Sequence, residues 1–105
     1  MKQLAYLLER LKATTEGSGN LLDNCAILAT SDTAHGREHT IKDYPILLAG
    51  KGGGVLKTHS HYRSTTRENT SKVLFSLAKA SGFTPTEIGA AGGRVTAGLA
   101  AIEAV

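Results

Sequence analysis

Two short runs, Cys25-Ala26-Ile27-Leu28-Ala29-Thr30 and Tyr44-Pro45-Ile46-Leu47-Leu48-Ala49, are apolar at almost every position and constrain this chain more than any other feature. A strand with one wet face alternates polar and apolar residues, whereas an unbroken apolar run suits a strand covered on both faces, as in parallel sheets. The pattern predicts strands over residues 25–30 and 45–49, with 55–57, Val55-Leu56-Lys57, as a candidate third. Pro45 stands at a strand entrance, where a missing N–H costs least. The expected class is α/β, a small piece of a mostly parallel sheet packed by helices.

The helices follow from spacing. Leu4, Leu7, Leu8 and Leu11 recur at helical intervals, with Lys2, Glu9, Arg10 and Lys12 mostly off that stripe, so residues 2–15 read as an amphipathic helix stopped by Gly17-Ser18-Gly19. Val73, Leu74, Leu77 and Ala78 mark a second helix over 70–81, with Asn69 or Thr70 as its cap and Gly82 as its stop. Thr84-Pro85-Thr86-Glu87 has a capping-box spacing, but Gly89, Gly92 and Gly93 limit it to a turn or two. The Ala-rich tail from Val95 to Val105 is compatible with helix.

With 105 residues the chain makes one small domain, 1–105, and a chain of this size buries only about two-thirds of its unfolded surface. Trp is absent and aromatics are 5% of the chain, so large packing groups are scarce. Two strands apolar on both faces need more cover than two amphipathic helices provide, which predicts a homo-oligomer or packing against the remainder of a longer chain. A net charge of +3 is too small to imply nucleic acid or a membrane surface as partner. The first residues carry Glu9, Arg10 and Lys12 and do not read as a signal peptide, and no window is long enough to span a membrane. Cys25, the single cysteine, reads as a small apolar filler.

Chemistry-bearing residues gather in two loops. Asp32, His35 and His39 follow the first apolar run, and carboxylate with imidazole is a ligand set for a divalent, zinc-like metal, although two or three ligands leave the site incomplete. The alternative is a turn-capping aspartate beside solvated histidines. The segment from Lys57 to Arg63, with His59 and His61 between and Arg67 beyond, collects cations and donors that suit a phosphate or sulfate anion, against a plain solvated loop. Gly50-Lys51-Gly52-Gly53-Gly54 lacks the endings of a phosphate-cradling loop and reads as a turn. No nucleophile elbow is present, so no catalytic residue is assigned.

Several of these residues also carry a resemblance. Leu21-Leu22-Asp23-Asn24-Cys25, the run Ser31 to His39, Pro45-Ile46-Leu47-Leu48-Ala49-Gly50, and Gly52 to Thr58 resemble the C-terminal part of an uncharacterised bacterial family in the alkaline phosphatase and sulfatase superfamily. The helix Thr70 to Ala80, Gly82 and Ile88-Gly89 extend the likeness more weakly. The resemblance implies a mostly parallel α/β domain holding metal ions that bind phosphate or sulfate esters, with Asp32 and His39 as metal ligands. It also implies a departure, since Thr33 stands where a second ligand histidine is expected, leaving His35 as a substitute. The segment that would supply the nucleophile has no counterpart before residue 20. The expectation is a chain matching part of a metal-dependent phosphoric or sulfuric ester hydrolase, not catalytic alone, or instead a non-enzymatic anion-binding or assembly module.

Overall fold

The computed structural model of this protein describes residues 1–104. Helix α1 runs over Lys2–Ala13, with Arg10 and Lys12 in its last turn, where cations offset the carbonyl end of the helix dipole. The Thr14 hydroxyl donates to Arg10 O at 2.7 Å and closes that end. Gly17, at φ +58°, then turns the chain into a small antiparallel pair, β1 (Thr15–Glu16) with β2 (Gly19–Asn20). Asn20 starts the single turn α2 (Leu21–Asn24) through a reciprocal cap: Asp23 N donates to its side chain, and Asn20 N donates to the Asp23 carboxylate.

The two apolar runs form strands β3 (Ile27–Thr30) and β4 (Ile46–Ala49). Mixed helix and strand is therefore the architecture, but both described sheets are two-stranded and antiparallel, with Ile27 opposite Ala49 and Thr30 opposite Ile46. The reason lies in the connection. A parallel return requires a crossover, usually a helix, and residues 31–45 contain none, so the chain comes straight back. Burial on both faces is also not reached: every residue of β3 and β4 is half-buried or exposed, and Leu47 is 40% exposed.

The candidate strand at 55–57 finds a different partner. Leu56 bridges Glu103, Lys57 N donates to Ile102 O at 2.8 Å, and Ala104 N donates to Val55 O at 2.8 Å. The tail needed for that pairing is extended around one 3₁₀ turn, Ala100–Ile102, instead of helical.

Helix α3 spans Ser71–Ala80, one residue inside the expected span at each end. Asn69 accepts from Ser71 N at 3.0 Å, and Gly82 and Phe83 donate back to Lys79 O and Ala78 O, the paired bonds of a Schellman stop with Gly82 at φ +85°. Its buried face carries Val73, Phe75 and Ser76, whereas Leu74, expected on the apolar stripe, is 48% exposed. Leu56, Val95 and Leu99 complete the core, which lies wholly in the C-terminal half.

A polar clasp closes that core. Ser76, with no exposed surface, donates to Glu103 Oε1 at 2.7 Å and accepts from Leu99 N at 2.9 Å, while Lys79 Nζ lies 2.7 Å from Glu103 Oε2. Gly98 makes room for it, because a Cβ there would overlap Glu103 Oε1 and come within 2.5 Å of Ser76 Oγ. Desolvation pushes the Glu103 carboxyl up, but the hydrogen bonds from Lys79 and Ser76 outweigh it and hold the group below its usual 4.5.

A depressed folded-state pKa stabilises the fold above the unfolded value, and that contribution is lost as pH falls through the folded value. Denaturant titrations should show Ser76→Ala costing about 1–3 kcal/mol, because it strands Leu99 N and one lone pair of Glu103. In Glu103→Gln, stability should fall less steeply with pH below about 4.5 than in the parent. Identical pH profiles would show that the clasp does not couple to folding.

Candidate functional site

Asp32 leaves the end of β3 on the surface, where its Oδ1 accepts from Ser31 Oγ at 3.3 Å. With Ile41, Tyr44 and Thr70 it lines an open cleft of about 280 Å³. The following residues form a tight local turn: Ala34 N donates to Thr40 O, His39 N to His35 O, and Glu38 N to His35 Nδ1 at 3.2 Å. One ring nitrogen of His35 is thus an acceptor within the turn, and His39 takes a left-handed φ of +54°. The three expected ligands share one loop, but among the described residues no three His, Cys, Asp or Glu side chains come together around a point where an ion could sit.

The glycine segment is a turn, as its composition predicts. Gly52 N donates to Cys25 O at 2.8 Å and Lys51 N to Leu22 O at 3.3 Å, so the loop clamps the entry of β3. Gly50 is held at φ +95° where a Cβ would overlap Cys25 O. Lys51 also pairs with Asp23 at 2.9 Å, and that hydrogen bond, followed by the one from Asn20 N, holds the Asp23 carboxyl below its ordinary range.

The basic segment divides in two. Lys57 is tied by its backbone to the C-terminal tail, and His59, at φ +58°, contacts Thr58 Oγ1 at 3.1 Å. His61 is exposed beside them. Arg63 pairs with Asp43 at 3.1 Å, across 20 residues of sequence. Asp43, Arg63, Ser64, Thr65 and Arg67 line a second cleft of about 520 Å³. Ser64 Oγ accepts from Glu68 N at 3.0 Å and Thr66 N at 3.4 Å, which folds the turn that carries Arg67.

Beside that turn, the Glu68 carboxylate accepts from the Tyr62 hydroxyl and lies 3.1 Å from Lys72 Nζ. The Tyr62 bond, then the Lys72 bond, hold Glu68 below its usual range, and the same bond pushes the Tyr62 phenol up. The sequence places Arg63 and Arg67 in one basic segment but gives no sign of Asp43 as their companion. No spacing rule links position 43 to 63 and 67, since the approach depends on how two long loops fold. The clasp at Ser76, Lys79 and Glu103 also had no sequence signal beyond its residue types.

Compared with family models, with curated proteins and with solved structures, the chain matches none of them.

The exposed position of Asp32 leads to a stability expectation. Asp32→Ala should change unfolding free energy by less than about 0.5 kcal/mol in urea melts, as for a surface side chain without a buried partner. A loss of more than about 2 kcal/mol would show that the loop depends on this carboxylate in a way its contacts do not reveal.

Proposed function

We propose that this chain is an assembly module, one layer of a larger α/β structure, with an apolar N-terminal half that is completed by packing against another polypeptide surface. The observation that carries this reading is exposed area. A compact monomer of 11.0 kDa exposes about 5,600 Å², and this chain exposes 7609 Å², an excess of about 2,000 Å². Its Cα radius of gyration is 14.7 Å, against about 13 Å for a compact chain of this length.

Five of the eight large apolar side chains left exposed, Met1, Tyr6, Leu7, Ile41 and Leu47, lie in the N-terminal half. None of the residues of α1 is buried, Tyr6 and Leu7 are 64% and 46% exposed, and no helix lays more than a marginal contact on the β3–β4 pair. A two-stranded sheet whose residues are at most half-buried is marginally stable at best by itself. About 2,000 Å² per partner lies in the range of obligate interfaces.

The molecule is a plate of 41 × 35 × 21 Å, and two plates stacked on their broad faces make a body of nearly equal dimensions. The isolated chain accordingly covers its face with a second copy. The same surface would accept the rest of a phosphatase- or sulfatase-like domain, the setting implied by the resemblance of residues 21–58. There the partner's strands would extend the β3–β4 edges into a mostly parallel sheet. Asp32, His39 and His35 would offer a partial ligand set for a divalent metal, completed from the other surface.

Sedimentation velocity tests the reading. The parent chain is expected to run as a dimer or larger species, and Leu7→Lys with Leu47→Lys to shift it to monomer while α3 keeps its helical signal. A compact parent monomer that unfolds cooperatively would overturn it.

A further inference from the structure

We propose that the cleft between Asp43 and the Arg63–Arg67 turn binds a tetrahedral oxyanion, a phosphate or sulfate group borne on a small organic molecule. The proposed site does not depend on the apolar assembly face. Of the basic segment read from the sequence it keeps Arg63 and Arg67, whereas Lys57, His59 and His61 are not among its lining residues.

Four observations support it. Two guanidinium groups line one cleft with a single carboxylate, which leaves one net positive charge. Arg67 makes no ion pair among the described residues, because its neighbouring acid, Glu68, is already engaged by Tyr62 and Lys72. Asp43 and Arg67 are two of the five non-glycine residues at left-handed φ, +52° and +56°, a region that aspartate tolerates, so the strain falls on Arg67. Such strain collects at ligand clamps, where the surrounding structure holds it in place. The volume, about 520 Å³, falls within the range of small-molecule sites and exceeds what a bare ion needs.

The residues divide the work by chemistry. Arg67 presents a planar fork suited to two oxygens of the anion. Arg63 begins on Asp43 in an ion pair that is about three-quarters exposed on both sides, and exposed pairs are weak, so an incoming oxyanion displaces the carboxylate at little cost. The Thr65 hydroxyl is an exposed donor on the rim. Ser64 is a positioning residue, because its oxygen already accepts two backbone N–H groups and fixes the turn.

The test is an NMR titration of the full chain with inorganic phosphate, phenyl phosphate and phenyl sulfate. Saturable shifts at residues 63–67 are expected, strongest with the phenyl esters if the organic group occupies the cleft. Equal affinity for inorganic phosphate assigns the free oxyanion and also supports the site. Arg67→Asn, chosen because asparagine tolerates the left-handed backbone, should weaken binding about tenfold or more. Asp43→Asn, which keeps that backbone and removes the competing carboxylate, should tighten it by about threefold, a gain that misfolding does not mimic. Lys57→Ala, an equal loss of charge outside the cleft, should change affinity by less than about twofold. No saturation by about 10 mM phenyl phosphate, or equal weakening by Lys57→Ala and Arg67→Asn, would overturn the proposal.

Discussion

The Glu103 carboxylate is the point on which the closed part of this structure depends. It draws the C-terminal tail across α3, and in doing so it brings Leu56 and Leu99 into contact with the same core as Val73 and Phe75. A carboxylate this deeply covered is costly to bury unless its oxygens are satisfied, and here Ser76 takes one and Lys79 the other. Ser76 also accepts from Leu99 N, so one hydroxyl joins helix, tail and carboxylate. Because Gly98 must lack a side chain for this to close, the small and polar residues of the tail decide the packing as much as its apolar ones.

The N-terminal half has no equivalent. Its helix α1 and strands β3 and β4 are locally well specified, by leucine spacing, by the Asn20–Asp23 cap and by the glycine clamp on Cys25 O, yet none of their residues reaches full burial. Local consistency with incomplete tertiary cover is what the proposed assembly surface requires. This contrast between halves, more than any single site, supports the reading as an assembly layer. It also fits the composition: with no Trp and few aromatics, one chain lacks the volume to close two cores.

Much of the local structure was legible in the sequence. Residues 2–15 and 70–81 gave helices at nearly those limits, and the two apolar runs gave strands. What the runs could not convey was their cover. An apolar residue records that a face avoids water, not whether the shielding group lies in the same molecule, so burial on both faces was expected where half-burial is found. Strand direction is not carried by the apolar runs either, since it depends on whether the intervening 15 residues form a crossover helix, and the polar stretch from Ser31 to Pro45 forms turns instead. At the site level, residue types were visible but not convergence: Asp32, His35 and His39 stay on one open loop, while Asp43 and Arg63 meet across 20 residues.

Hydrogen exchange measured over a range of protein concentrations tests the assembly account most directly, because it reads each half separately. The account predicts slow exchange in α3 and the Leu56–Glu103 bridge at every concentration. In α1 and β3–β4 it predicts protection that rises as copies associate. Equal, concentration-independent protection across both halves would mean that the chain is complete as a monomer, and would contradict it.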